Sequence, residues 1–244
     1  MNHAKSFQAR TFFNSLLSKS VNQESVRSEY GVRMKANWDD ATFMFCINGS
    51  YGRYFSDLLA SRRYDFAFLD VGANQGLYSL IAAKNPLCSR AVAFEPVRST
   101  FELLKENIRL NAADNVVPCN FGISSSRQVM DIALKTKHSG AASLHHQFCD
   151  GASEKIEVRT AEDAAEYVPE QTDLVVKVDT EGHEKVVIEQ LMGASYAPQI
   201  SLIFYEVDED WIEPRKIETL LRDAGFSIFE KVGQGRHYDV LTSR

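Results

Sequence analysis

"FLDVGANQGLYSLIAA", residues 68–83, sets an apolar run that ends in an acid ahead of two glycines, Gly72 and Gly76, and a helix-like pattern. A strand that feeds a glycine turn and then a helix N-terminus makes a ligand cradle, because unpaired N–H groups face outward and glycine lets a ligand approach the backbone. A dinucleotide fingerprint needs G-x-G-x-x-G. Here Asn74 stands between the glycines, and Tyr78 or Ser79 occupies the place of the third. That spacing is wrong for a pyrophosphate.

Asp70 points to a different ligand. A carboxylate at the strand end repels a diphosphate but suits a molecule carrying an amino group and a sulfonium, as S-adenosylmethionine does. In "AVAFEP", residues 91–96, Glu95 closes the next apolar strand, where a carboxylate can accept both hydroxyl protons of an adenosine ribose. Each signal has a plainer reading: the glycines as a corner, Asp70 and Glu95 as helix caps. Together they favour the cofactor.

Apolar runs and helical patterns alternate from Phe66 onward, which is the signature of an α/β sandwich with helices on both faces of a parallel sheet. The expected strands are 66–71, 91–95, 116–119, 174–179, 200–206, 227–230 and 237–241. In "VRSTFELLKENIRLNAAD", Phe101, Leu104, Ile108 and Ala112 recur at helical spacing. Further helices are expected over 181–192 and 213–224, the second ending at Gly225. Residues 31–48 read as strands or a small flap, and "KTKHSGAASLHHQFCDGAS", 135–153, as a long loop. The domain itself is expected over 51–244, behind an N-terminal extension of a helix plus the flap over 1–50.

The formal charge of -6 and a sequence pI of about 5.6 argue against a nucleic-acid partner, since that binding rests on clustered Lys and Arg. No apolar run is long enough to span a membrane. Cys46, Cys88, Cys119 and Cys149 are widely spaced with no C-x-x-C, so they read as reduced thiols of a cytoplasmic protein. The first 23 residues carry Lys5, Arg10 and Lys19 but no acid, with Phe12, Phe13, Leu16 and Leu17 near helical spacing. This amphipathic segment reads as a helix docking on the core or on a second copy of the chain, with organelle targeting or membrane-surface binding as the other readings.

Four blocks in order, "FLDVGANQGLYS", "AFEPVRSTFELLKENIRLN", "SGAASL" and "VVKVDTEGHEKVVIEQLMGA", resemble the FkbM family of S-adenosylmethionine-dependent methyltransferases. The resemblance covers about residues 51–205. It implies a class I methyltransferase sheet of seven strands, the last antiparallel, and methyl transfer to an oxygen of a sugar, glycan or secondary metabolite. By the family pattern Asp70, Gly72, Asn74 and Gly76 line the methionine end, Glu95 the ribose, and Asn120 with Phe121 the adenine edge. Ala73, Tyr78, Pro96 and Asp179 complete the implied cofactor set. "PCNFGIS" departs from the acid often found after the third strand of this fold.

Ligands of open α/β sheets sit outside the carboxyl ends of the strands, where "KVDTEGHE", residues 177–184, places Asp179 and His183. These two and Glu206 are the candidate catalytic groups. The sulfonium is already electrophilic, so an alcohol acceptor needs positioning and somewhere for its proton to go. Alternatives stay open: Lys177 and Asp179 as an internal ion pair, His183 as a helix cap, and "EVDED" after Tyr205 as a solvated acidic turn. His138, His145 and His146 lie on a loop without the fixed geometry of a metal site, and Mg²⁺ on Asp179 and Glu206 is the less favoured reading of those oxygens. Two other classes compete, a non-catalytic S-adenosylmethionine-binding protein and a nicotinamide oxidoreductase. The cradle spacing and Asp70 disfavour the latter.

Overall fold

The computed structural model describes residues 24–50, 52–144 and 152–244. The amphipathic segment 1–23, with the docking expected of it, lies outside the described residues, as do His145, His146 and Cys149. A short antiparallel pair, β1 (Ser25–Arg27) and β2 (Arg33–Lys35), precedes helices α1 (Ala41–Asn48) and α2 (Arg53–Ser61). Then follow β3 (Phe66–Val71), α3 (Leu77–Lys84), β4 (Cys88–Phe94), α4 (Arg98–Leu110), β5 (Val116–Cys119), β6 (Gly122–Ile123), β7 (Gln128–Leu134) and β8 (Ala152–Arg159). The chain closes with β9 (Leu174–Val178), α5 (Glu184–Gly193), β10 (Ile200–Asp208), α6 (Pro214–Asp223), β11 (Ile228–Val232) and β12 (His237–Ser243).

Seven strands form the central sheet in the order β5-β4-β3-β9-β10-β12-β11. The pairs from β5 to β10 are parallel, and β12 runs antiparallel to both of its neighbours. This is the class I methyltransferase arrangement that the resemblance implied. Every residue of β3 and β9 is buried, because helices cover both faces of a parallel sheet. One face packs Leu69, Val71, Phe94, Val176 and Val178 against residues of α5 and α6. The other packs Phe66, Phe68, Ala93, Val175 and Phe204 against α3 and the segment before β3. On that face Phe55 stacks on Phe204 with centroids 4.2 Å apart, a contact worth about 0.5–1.5 kcal/mol beyond its buried area.

Residues 31–48 match the strands or flap expected of them only in part: β2 lies there, but a helix follows. Asp40 accepts from the Phe43 N–H at 2.8 Å and Gly49 ends the segment at φ +64°, so α1 is a capped helix. Phe43, Cys46 and Ile47 fall on its inner face, and with Val32 and Met34 they belong to the same core as Phe55 and Phe68. The helix expected from residue 181 begins at Glu184, because Glu181 at φ +53° and Gly182 at φ +103° make a left-handed turn first. The loop expected over 135–153 starts as read, with a turn of 3-10 helix at Ser139–Ala141. Its flanks form a second sheet of order β6-β8-β7, whose inner residues Ile132, Ile156 and Val158 make a small core with Val97.

Candidate active site

The carboxyl ends of β3, β4, β9 and β10 open on a cavity of about 300 Å³. Its far walls are α1, the turn around Ser139 and the second sheet, contributing Phe45, Gly140, Leu144, Ile156 and Val158. Gly72 sits at the tightest point. With φ +81°, it would place a Cβ 1.8 Å from the Asp179 carbonyl oxygen, so the β3 turn and the end of β9 touch through a residue with no side chain. Gly72, Ala73, Asn74 and Tyr78 line the cavity, while Gly76 ends the turn against Leu104.

Glu95 lines the cavity and is 5% exposed. Its carboxylate accepts from the backbone N–H groups of Asn74 (2.9 Å) and Val97 (2.8 Å), which tie the end of β4 to the glycine turn. Burial pushes the Glu95 carboxyl up to about 7, against the pull of those two N–H groups. Pro96 lines the cavity beside it. Asn120 and Phe121 are not among the lining residues: Asn120 Nδ2 donates to the carbonyls of Glu95 and Pro96, and Phe121 packs on Phe94 under the Arg159 guanidinium. Pro96, Gly122 and Ile123 line the cavity on that side instead.

Asp70 does not reach the cavity either. It is fully buried, and its Oδ2 accepts from the Ser79 N–H (3.1 Å) and Oγ–H (2.6 Å), so it caps the first turn of α3 from the strand behind it. Asp70 and Lys177 are partners in the β3–β9 register and share one sheet face. Lys177 Nζ lies 3.1 Å from Asp179 Oδ2 and 3.7 Å from Asp70 Oδ1, and donates to the Gly72 carbonyl at 3.2 Å. The internal ion pair Lys177–Asp179, one of the alternatives left open by the sequence, is therefore formed, with Asp70 as its third member. Burial alone would push the Lys177 ammonium down, but Asp179 and Asp70 outweigh it and hold it above its ordinary value.

Asp179, His183 and Glu206 all line the cavity. His183 Nε2 lies 3.0 Å from the hydroxyl of buried Ser124, at the mouth of β6. Glu206 Oε1 lies 2.7 Å from His237 Nε2. Burial and Asp179 push Glu206 up to about 7, and the hydrogen bond to Glu206 lifts His237 to about 9. Glu181 joins them: one oxygen each from Asp179, Glu181 and Glu206 lies within 4.8 Å of the others. Burial first, then Asp179 and Glu206, push Glu181 up to about 9. Lys177 and His237 already supply positive charge to two of these carboxylates.

Three groups had no distinctive signal in the sequence. His237 is delivered by the antiparallel strand β12. Glu184, fully buried, accepts from the N–H groups of Thr180 and Gly182 and from the Thr180 hydroxyl, and so shapes the turn that carries Glu181 and His183. Gln75 is 1% exposed and lines the cavity; its Nε2 donates to Asp40 Oδ1 and Ser139 Oγ, while its Oε1 has no partner among the described residues.

A family model described as the methyltransferase FkbM domain matches residues 70–228. The hexuronic acid methyltransferase AglP of Haloferax volcanii is 31% identical over 171 residues, spanning 70% of this chain and 67% of its own. The methyltransferase sdnD of Sordaria araneosa is 27% identical over 216 residues, spanning 71% of this chain and 81% of its own. Among solved structures, a conserved hypothetical protein of Streptococcus pyogenes superposes with a TM-score of 0.50 at 14% identity, covering 78% of this chain and 93% of that one, a likeness of fold alone. No helix among the described residues is long and apolar enough to cross a membrane.

Proposed function

The chain belongs to the FkbM methyltransferase family, and from that premise we propose that it methylates a hydroxyl oxygen of a sugar or a sugar-like metabolite, with Glu206 receiving the hydroxyl proton. S-adenosylmethionine, when bound, supplies a methyl group already activated on a sulfonium. The residues present fit it. Gly72 lets the β3 turn close on the Asp179 carbonyl and lines the cavity, Glu95 presents a carboxylate suited to a ribose diol, and the Oε1 of Gln75, without a partner among the described residues, offers an acceptor for an ammonium. Gly72, Ala73, Asn74, Tyr78, Glu95 and Pro96 are the proposed cofactor contacts, and Asp70 and Gly76 hold the turn that presents them.

One observation carries the proton assignment: the Glu206–His237 pair, at 2.7 Å, stands beside Asp179 at the strand ends. A carboxyl brought up to about 7 is matched to taking a proton at neutral pH. Asp179, fixed by Lys177, orients the acceptor hydroxyl. His183, held by Ser124, forms the other polar side of the acceptor subsite. The acceptor oxygen would take the methyl group as the methyl–sulfur bond breaks and S-adenosylhomocysteine leaves, Glu206 would receive the hydroxyl proton, and the neighbouring His237 offsets the carboxylate charge before transfer. Support for the sugar class of the acceptor, and not for a charged group on it, comes from the hexuronic acid named for the Haloferax relative.

The cofactor half is tested by calorimetry with S-adenosylhomocysteine. Wild type binds it, and Glu95→Ala weakens binding by at least about tenfold, since a charge-assisted hydrogen bond is worth about 1.5–3 kcal/mol. Unchanged affinity in a folded variant contradicts the ribose assignment.

A further inference from the structure

Resting on the O-methyl transfer proposed above, we infer that the acceptor is an uncharged polyhydroxylated molecule, and that Glu181 recognises it by donating a hydrogen bond to one of its oxygens. Glu181 stands on a rigid support. Its own backbone is left-handed, Gly182 follows at φ +103°, and the Ser143 hydroxyl donates to its carbonyl at 2.6 Å. Its carboxyl forms a cluster with those of Asp179 and Glu206, all within 4.8 Å.

Three carboxylates at that separation require compensating charge or a shared proton. Asp179 has Lys177 at 3.1 Å and Glu206 has His237 at 2.7 Å, whereas Glu181 has no ion-pair partner among the described residues. Burial and the two neighbouring acids push Glu181 up to about 9, so it carries its proton at neutral pH. The cluster then holds two neutralised carboxylates, which accept hydrogen bonds, and one carboxylic acid, which donates one. Hydroxyl groups use both kinds of partner.

An anionic acceptor meets only counter-charges that the cluster already holds: the charged His237 is bound to Glu206 at 2.7 Å. Lys177 is the only Lys or Arg among the described lining residues, and Asp179, Asp70 and the Gly72 carbonyl already engage it. His138 is pushed down by burial, away from the charged form. A carboxylate or phosphate entering the subsite loses its water beside Asp179 and Glu206 with no cation gained in exchange. The opposite wall of Ile132, Leu144, Ile156 and Val158 is apolar and suits the C–H face of a sugar ring.

The test divides a small-molecule extract of the source organism on an anion exchanger before reaction. Each pool is then incubated with the protein and methyl-labelled S-adenosylmethionine. Label is expected in the unretained, uncharged pool. Glu181→Ala is expected to raise the acceptor KM about tenfold, and Glu181→Gln, which keeps a donor, to restore most of it. Label confined to the retained pool overturns the inference and leaves O-methyl transfer standing. Wild-type KM in Glu181→Ala overturns the role of Glu181. Label in neither pool, from protein that binds S-adenosylhomocysteine, contradicts the small-molecule reading itself and the inference with it.

Discussion

Glu206 and His237 meet across the junction of β10 and the antiparallel strand β12, Oε1 to Nε2 at 2.7 Å. The strand reversal that completes the sheet thus delivers an imidazole to the carboxyl ends of the parallel strands. Without β12 the Glu206 carboxylate would face Asp179 and Glu181 with no positive neighbour on that side.

Glu206→Gln is expected to lower kcat by about 10²–10⁴ while leaving S-adenosylhomocysteine affinity unchanged. In wild type the rate rises with pH through about 7, where Glu206 loses its proton. It falls again above about 9, where His237 becomes neutral and Glu181 loses its proton. A pH–rate profile checks this; a Glu206→Gln enzyme that keeps the acid limb assigns the proton to another group.

Glu181 also links the site to stability. Its folded form holds a proton up to about 9, whereas an ordinary carboxyl near 4.5 has released it, so its contribution is full below that ordinary range and is lost as pH rises through about 9. Glu181→Gln cannot ionise and is expected to melt higher than wild type at pH 9–10, with a smaller difference at pH 6. Parallel melting curves of the two proteins across that range would show that Glu181 does not hold the proton.

Much of this arrangement was legible in the sequence. The runs at 66–71 and 174–178 are buried on both faces, and that is why they read as continuous apolar strands. Asp179 and His183 come after β9 and Glu206 lies near the carboxyl end of β10, so the neighbouring parallel strands bring all three to one cavity. Side-chain direction was harder to read. Asp70 ends its strand like a ligand residue, yet the register with Lys177 turns it to a buried pair and to Ser79. His237 is invisible locally, since its partner lies on β10 and only strand pairing joins them. The second sheet was missed because its strands bury few residues, Ile132 and Ala133 in β7 and Ile156 and Val158 in β8, too few to read as an apolar run.

Lys177→Met is expected to destabilise the fold by about 3–5 kcal/mol, because it strands a buried carboxylate at Asp70. The double variant Lys177→Met with Asp70→Asn recovers a substantial part of that loss. Urea unfolding measures both through the shift in midpoint at constant slope. Equal stability of the single variant and wild type would mean that the buried ammonium is dispensable.

Methyl transfer to oxygen is tested most directly with trideuteromethyl S-adenosylmethionine. The purified protein is incubated with it and an extract of the source organism, and labelled products are fragmented in a mass spectrometer. The account predicts a product bearing the trideuteromethyl group on a hydroxyl-derived oxygen, formed by wild type and nearly absent with Glu206→Gln. Label on nitrogen or carbon, or a labelled product formed equally by both proteins, would contradict it.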